Sequence, residues 1–178
     1  MPRTPLPIDR PIALVGMMGA GKTSVGKVLA ERLGLQFVDA DSEIEREAGV
    51  TIPAIFARFG EARFREMERQ AVARLVEGPP RVIALGGGAF ADMGARALVL
   101  ERCIAVWLEA DVGTLAARVR QDEQRPLLQG RDAAHVVATL SEQRGSAYST
   151  AHLRVCSAGR SPSETADAVM EALLERAR

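Results

Sequence analysis

The chain has no excess of charge of either sign and no long apolar run. Both absences narrow the classes of protein to which it can belong. Lys and Arg together number 23, as do Asp and Glu, so the formal net charge of the 178 residues is zero. A nucleic-acid scaffold or a polybasic membrane binder would carry a clear positive excess. No stretch approaches the roughly 20 apolar residues of a membrane span. We therefore predict one domain of ordinary size, with no nucleic-acid partner and no membrane contact.

Cysteine and histidine are also scarce, which argues against a disulfide framework and a metal centre built from these residues. Cys103 and Cys156 lie far apart in strand-like segments and lack metal-ligand spacing. We predict that both are buried, reduced thiols of a cytosolic protein. His135 and His152 have no partner at ligand spacing, so we expect surface or space-filling roles for both.

The most informative segment present is residues 16–23, Gly-Met-Met-Gly-Ala-Gly-Lys-Thr, which fits the pattern G-x-x-x-x-G-K-[ST]. An apolar run precedes it at residues 12–15, and a helical pattern follows at residues 24–33. Strand, glycine-rich loop and helix in this order form a phosphate cradle, because backbone N–H groups converge on anionic oxygens at a helix N-terminus. The segment therefore predicts a nucleoside triphosphate site, in which Lys22 reaches the terminal phosphates and Thr23 holds Mg²⁺.

Strand and helix patterns alternate along the rest of the chain. The proline-rich residues 1–10 lack the apolar core of a signal peptide and are predicted to be a loose leader. Because the strands are apolar throughout, helices should cover both faces of the sheet. The predicted fold class is a three-layer α/β (αβα) domain with a parallel sheet of about five strands. Further strands are predicted at 36–39, 82–85, 104–108 and 153–156, and helices at 42–48, 61–76, 112–119 and 135–148. Thr51 can cap another short helix, and Ser161 with Glu164 predicts a capping box for a final helix from Pro162 to the C-terminus.

Two carboxylates follow the second predicted strand. Asp39 and Asp41 are two residues apart in extended chain, so both can point to one side at the sheet edge where ligands bind. One could join the Mg²⁺ shell while the other grips an acceptor hydroxyl. The alternative is that one or both cap the helix that begins near Ser42.

Three other segments favour phosphoryl transfer over simple nucleotide binding. Arg65 and Glu68 share a helix face, although such a pair is usually a solvated surface ion pair. The glycines at 86–88 follow a strand, where they permit close backbone approach to a ligand. Arg125 begins an irregular charged stretch, and an arginine on a mobile flap can stabilise charge on a transferring phosphoryl group. An ordinary solvated loop is the alternative for that stretch.

In this order, the segments resemble the shikimate kinases, which belong to the nucleoside-monophosphate-kinase-like branch of P-loop proteins. The resemblance implies transfer of the γ-phosphoryl group of ATP to the 3-hydroxyl of shikimate, in aromatic amino-acid biosynthesis. The cysteine usage favours a cytoplasmic protein, and the modest size and neutral charge suit a monomer. It covers the chain from Ile12 to the last helix and rests on the P-loop, Asp39-x-Asp41, Gly60-Glu61-x-x-Phe64-Arg65-x-x-Glu68, Gly86-Gly87-Gly88, Arg125-Pro126-Leu127-Leu128 and Arg144-x-x-x-Tyr148.

The resemblance also implies an organisation and a role for each matching residue. One P-loop kinase domain would span residues 11–178, with acceptor-binding helices at about 42–77 and a mobile lid at about 122–134. Lys22, Asp41 and Arg125 would be catalytic, and Mg²⁺ would be held by Thr23 and, through water, by Asp39. The implied ATP-binding residues are Gly19, Ala20, Gly21, Lys22, Thr23, Ser24, Arg118, Arg125 and Arg160. The implied shikimate-binding residues are Asp41, Phe56, Phe64, Arg65, Glu68, Gly86, Gly87, Gly88 and Arg144.

Two other functions stay open on the sequence. A related small-metabolite kinase, such as a gluconate kinase, would share the P-loop and the early acidic pair. The Phe64-Arg65 helix, the triple glycine and Arg144 favour shikimate as the acceptor. A non-catalytic nucleotide sensor should lack an acceptor-binding residue, yet every role has an occupant.

Overall fold

The structure, a computed structural model, describes residues 8–120, 128 and 130–178. In this part of the chain the core element is a five-stranded parallel sheet, which confirms the predicted parallel α/β sheet. The strands are β1 (Ile12–Val15), β2 (Gln36–Asp39), β3 (Arg81–Ala84), β4 (Ile104–Glu109) and β5 (Leu153–Cys156). Their order across the sheet is β2-β3-β1-β4-β5.

Burial differs between the centre and the edges of the sheet. All four residues of β1 are buried between β3 and β4, as expected for a strand with helices on both faces. The outer strands are less covered, and Gln36 in β2 and Arg154 in β5 are exposed. The prediction that both cysteines are buried is therefore wrong for Cys156, which is exposed at the end of the edge strand β5. Cys103 is buried before β4, and that burial raises its pKa to about 12.

Helices flank the sheet in the described part of the chain. They are α1 (Lys22–Leu33), α2 (Ala40–Ala48), α3 (Ile52–Leu75), α4 (Met93–Arg102), α5 (Val112–Val119), α6 (Ala133–Tyr148) and α7 (Pro162–Arg176).

The helices pack in neighbouring pairs, with α1 beside α7, α2 beside α3 and α5 beside α6. The capping box of Ser161 and Glu164 at the start of α7 is confirmed. Helix α4 was not predicted from the sequence; it begins where the Asp92 carboxylate accepts the N–H of Ala95 at 2.9 Å.

Helix α3 is kinked where the sequence predicted two separate helices. Thr51 caps its start, as predicted, by accepting the N–H of Ala54. At Gly60 the backbone leaves helical geometry, with φ 79° and ψ 170°. Glycine adopts such positive φ values without steric cost, so the chain changes direction there.

The α2–α3 pair has a hydrophobic cluster of its own. Ile44, Ile55, Phe64 and Ala71 are buried together, separately from the main core around the sheet. This small cluster supports the second half of α3 beside the carboxyl ends of the strands. None of the helices in the described ranges is long and apolar enough to cross a membrane.

Candidate active site

The loop between β1 and α1 depends on glycine for its shape. Gly16, Gly19 and Gly21 have positive φ values of 142°, 80° and 92°. A Cβ on Gly16 would lie 2.5 Å from the carbonyl oxygen of Leu108. Gly21 has no side chain to cap α1, and the first turn of that helix carries no acidic residue. The backbone N–H groups that begin α1 therefore suit an anionic ligand.

Lys22 and Thr23 occupy the first turn of α1. The Lys22 ammonium donates to the carbonyl oxygens of Gly16 at 2.8 Å and Met17 at 2.9 Å, so it lies over the phosphate loop. The Thr23 hydroxyl donates to Asp39 Oδ2 at 2.7 Å. Asp39 Oδ1 accepts the N–H groups of Asp41 and Ser42. Asp39 thus caps α2, which is the alternative that the sequence left open, while its second carboxylate oxygen faces Thr23 of the phosphate loop.

Two carboxylates from different helices meet at the first glycine of the segment after β3. A Cβ on Gly86 would lie 2.8 Å from Asp41 Oδ1 and also 2.8 Å from Glu68 Oε1. Asp41 comes from α2, and Glu68 comes from the second half of α3. The sheet edge therefore gathers an acidic pair that is 27 residues apart in sequence.

Two arginines lie against the next two glycines. A Cβ on Gly87 would lie 3.3 Å from Arg144 Nη1 and 3.5 Å from the backbone nitrogen of Met18 in the phosphate loop. A Cβ on Gly88 would lie only 2.3 Å from Arg65 Nη1. A side chain at any of these glycines would displace a charged group. The triple glycine is therefore the point at which α2, α3, α6 and the phosphate loop meet.

The Arg65–Glu68 pair is partly buried, unlike the solvated pair that the spacing alone would favour. Arg65 Nη1 lies 2.8 Å from Glu68 Oε2, and Arg65 Nη2 lies 3.2 Å from Glu61 Oε1. The Glu68 side chain is 4% exposed and that of Arg65 is 23% exposed. Burial raises the pKa of Glu68, while the positive charges of Arg65 and Arg144 oppose that rise. Glu68 therefore holds the Arg65 guanidinium in place at the edge of the site.

The two phenylalanines assigned to the site pack together beside Arg65. The ring centroids of Phe56 and Phe64 are 4.9 Å apart, and the Arg65 guanidinium carbon lies 5.2 Å from the Phe64 centroid. Phe64 is buried in the small cluster, whereas Phe56 is half-buried. Phe64 thus supports Arg65 from below, and Phe56 presents more of its ring to the surface.

Of the three arginines assigned to ATP, two lie near the loop after β5 and the third lies outside the described residues. Arg118 donates to the carbonyl oxygens of Gly19 at 3.1 Å and Ser157 at 2.9 Å, which ties the phosphate loop to the loop after β5. Arg160 lies in that same loop and donates to the carbonyl oxygen of Cys156. Arg125 lies outside the described residues, as does most of the predicted lid at 122–134.

One residue at the site was quoted in a sequence motif but given no role. Tyr148, the last residue of α6, donates its hydroxyl to the carbonyl oxygen of Gly87. Its position four residues after Arg144 was the available signal, because residues four apart share a helix face.

Comparisons with known proteins decide the family. A family model described as shikimate kinase matches residues 18–174. The chain belongs to the shikimate kinase family. Relatives named shikimate kinase include one from Zymomonas mobilis, 46% identical over 167 residues, which span 94% of this chain and 95% of the relative. Another, from Caulobacter vibrioides, is 51% identical over 144 residues, which span 81% of this chain and 72% of the relative.

Solved structures agree with the membership of the shikimate kinase family. A shikimate kinase from Acinetobacter baumannii in complex with shikimate superposes with a TM-score of 0.91 at 37% identity, covering 94% of both chains. A gluconokinase from Sinorhizobium meliloti matches with a TM-score of 0.64 at 19% identity, which shows a shared fold alone. The predicted fold class and the resemblance to shikimate kinases are both confirmed.

Proposed function

We propose that this protein transfers the γ-phosphoryl group of ATP to the 3-hydroxyl of shikimate, giving shikimate 3-phosphate and ADP. The observation that carries the proposal is the convergence at the glycine segment. Asp41 and Glu68 approach Gly86, Arg144 approaches Gly87 and Arg65 approaches Gly88. Charged groups suited to a hydroxylated carboxylic acid thus lie next to a loop suited to a triphosphate.

The acceptor carboxylate would bind between the two arginines of the site. Arg65 and Arg144 approach adjacent glycines, so their guanidinium groups can act on one anion. A planar guanidinium matches a carboxylate through two parallel hydrogen bonds. Glu68 and Glu61 fix the orientation of Arg65, which lowers the conformational entropy that binding would cost.

Asp41 would orient the attacking hydroxyl and accept its proton. Its carboxylate lies at Gly86, and the neighbouring Gly87 is the glycine that approaches the phosphate loop. Phosphoryl transfer needs little covalent chemistry from the protein, so positioning and charge neutralisation provide most of the catalysis. Lys22 would contribute positive charge at the terminal phosphates.

The residues at the phosphate loop fit Mg²⁺. Thr23 and Asp39 provide hard oxygen donors 2.7 Å apart, and Mg²⁺ in such sites takes one or two protein oxygens together with phosphates and water. When bound, the ion would neutralise charge on the β- and γ-phosphates. Its loss should therefore abolish turnover.

The other sequence assignments complete the proposal. Arg118 and Arg160 would lie on the adenine side, and Arg125 would close over the phosphates from the lid. An Arg125→Ala change should therefore lower turnover more than it weakens shikimate binding. We expect the protein to work as a cytoplasmic monomer with small-molecule substrates only.

The test is ADP release from Mg-ATP, measured with shikimate, with gluconate and without acceptor. We expect release with shikimate alone, and we expect Asp41→Asn to lose turnover while it retains shikimate binding. Release with gluconate instead would keep the nucleotide site but reject the acceptor site. ATP binding without release under any condition would favour a nucleotide sensor.

A further inference from the structure

The glycine segment forms a turn whose middle peptide is free to flip on steric grounds. The N–H of Ala89 donates to the carbonyl oxygen of Gly86 at 3.1 Å, which closes a β-turn with Gly87 and Gly88 at its centre. Gly88 has φ −91° and ψ −18°, the geometry of a type I turn. A type II turn differs by a flip of the central peptide and needs a positive φ at that position, which glycine adopts without cost. The glycines alone therefore do not select between the two forms.

A buried hydroxyl holds the peptide that would flip. Tyr148 donates to the carbonyl oxygen of Gly87, which belongs to the central peptide of the turn. The tyrosine is 1% exposed, and its ring stacks on Trp107 with centroids 6.0 Å apart and on Phe90 with centroids 6.5 Å apart. Because these neighbours fix the ring, the position of the hydroxyl is fixed as well.

We propose that Tyr148 is a positioning residue that selects the type I form of the glycine turn and thereby keeps the acceptor site in order. In a trans peptide the C=O and N–H groups point in opposite directions, so the N–H of Gly88 points away from Tyr148. A flip of the peptide between Gly87 and Gly88 would turn the N–H of Gly88 toward Tyr148. The carbonyl oxygen of Gly87 would then lie on the opposite side of the turn, where the N–H had been. The expected effect on shikimate binding rests on the proposed function, whereas the expected conformation of the turn does not.

The placement of Tyr148 couples the turn to one of the arginines. Arg144 and Tyr148 are four residues apart on α6 and share a face of the helix. Arg144 approaches Gly87, the residue whose carbonyl Tyr148 binds. Burial raises the pKa of Tyr148, with Arg144 opposing the rise, so the hydroxyl remains a donor at neutral pH. One face of α6 therefore both supplies a cation and fixes the peptide beside it.

The first test replaces Tyr148 by phenylalanine, which removes the hydroxyl and keeps the ring. We expect NMR relaxation dispersion to detect microsecond-to-millisecond exchange at the amides of Gly87, Gly88 and Ala89 in the variant and none in the wild type. We also expect KM for shikimate to rise about tenfold, the effect of losing one well-placed hydrogen bond, with KM for ATP unchanged. Thr150→Val is the matched control, because it removes a hydroxyl that donates to the carbonyl oxygen of Ala147 near the same helix end.

The outcomes separate this inference from the proposed function. Turn amides in Tyr148→Phe that match the wild type would overturn the inference, whatever the enzyme activity. Conformational exchange at the turn amides of Tyr148→Phe, together with a wild-type protein that does not phosphorylate shikimate, would support the inference and reject the proposed function. Dispersion in both Tyr148→Phe and Thr150→Val would also overturn it, because the effect would then be general to the helix end.

A second test uses the wild-type protein and does not depend on the folding of a variant. Tyr148 is the one tyrosine of the chain, so [13Cζ]tyrosine labels it alone. In mixed H2O and D2O we expect two 13Cζ lines, because a buried, hydrogen-bonded hydroxyl exchanges its proton slowly. A single averaged line would show a freely exchanging hydroxyl and would overturn the proposal.

Discussion

At the scale of single residues, the three glycines of the turn differ in the group that a side chain would displace. At Gly86 a methyl group would meet two carboxylates, at Gly87 it would approach Arg144, and at Gly88 it would overlap the Arg65 guanidinium. Each glycine therefore leaves room for a different charged group of the proposed acceptor site. Gly88 gives the sharpest test, because the overlap involves the end of one long side chain and not the backbone.

We predict that Gly88→Ala weakens shikimate binding without unfolding the protein. The new Cβ would lie 2.3 Å from Arg65 Nη1, so the guanidinium must move away from the turn. Loss of one charge-assisted interaction should raise KM for shikimate by about tenfold or more, while KM for ATP stays the same. Steady-state kinetics with each substrate varied would measure this. Gly94→Ala in α4 is the control, and equal KM values for Gly88→Ala and the wild type would refute the assigned position of Arg65.

His152 gives a pH-dependent prediction away from the active site. Its Nδ1 accepts the N–H of Ala105 at 3.0 Å, which requires the neutral imidazole at that nitrogen. Burial lowers the pKa of His152 from its ordinary 6.5, and the charges of Arg176 and Arg10 add to the effect. Below pH 6.5 the unfolded chain therefore binds a proton that the folded protein resists. The stability contributed by this group is present above that pH and declines as the pH falls through the folded-state pKa.

The measurement is the free energy of unfolding of the wild type and of His152→Gln across this pH range. We predict that the advantage of the wild type is largest near neutral pH and shrinks under acid conditions. His135→Gln, at an exposed position, serves as the reference. An advantage that grows as the pH falls would have the wrong sign for this account.

At the scale of elements, the sequence predicted the features that depend on residues close together in the chain. Thr51 and the Ser161–Glu164 box mark helix starts because capping involves only neighbouring residues. Helix α4 was missed because its buried residues, Ala95 and Val99, provide a weak apolar pattern. The error at Cys156 has a different cause, because strand order decides which strands lie at the edge and depends on distant pairing.

The same distinction applies to the candidate site: its motifs predict which residues belong to it, whereas only the fold determines which of them lie next to each other. The motifs named Asp41, Arg65, Glu68 and Arg144 as members of one site. They could not state that Asp41 and Glu68 share Gly86, or that Arg65 and Arg144 approach adjacent glycines. Those relations depend on how α2, α3 and α6 pack at the end of β3, which no local pattern records.

Two helical glycines should respond to alanine with opposite signs. Gly145 in α6 has open space where a Cβ would lie, so Gly145→Ala should raise the free energy of unfolding by about 0.5–1 kcal/mol through better helix propensity. Gly26 in α1 lies against Phe37, with 2.5 Å between a new Cβ and the ring, so Gly26→Ala should destabilise the protein. Urea unfolding of both variants would measure the two effects. Stabilisation by Gly26→Ala would be incompatible with the packing of α1 on β2.

At the scale of the whole molecule, α2 and α3 have a second, smaller hydrophobic cluster, although Val72 and Leu75 near the end of α3 belong to the main core around the sheet. The smaller cluster contains Ile44, Ile55, Phe64 and Ala71, whereas the larger one surrounds the central strands. A segment with fewer buried apolar contacts opens locally at a lower free energy than the core. Helices α2 and α3 supply the charged groups Asp41, Arg65 and Glu68 that lie against the glycine turn.

We therefore predict that shikimate protects α2 and α3 from hydrogen exchange more than it protects β1 and β4. Binding stabilises the state that binds, and the least stable contacting segment shows the largest change. Amide exchange followed by mass spectrometry, with and without saturating shikimate, would measure this. Equal protection of all segments would indicate that the molecule opens as one unit.

The central claim is that one fixed site clamps the shikimate carboxylate at Arg65 and Arg144 and offers one hydroxyl to Asp41. The most direct measurement is the position of phosphorylation, read by coupled 1H and 31P NMR on the product made from Mg-ATP and shikimate. The account predicts a single product with the phosphoryl group on the 3-hydroxyl. A mixture of phosphorylated hydroxyls, or inorganic phosphate in place of shikimate 3-phosphate, would contradict it.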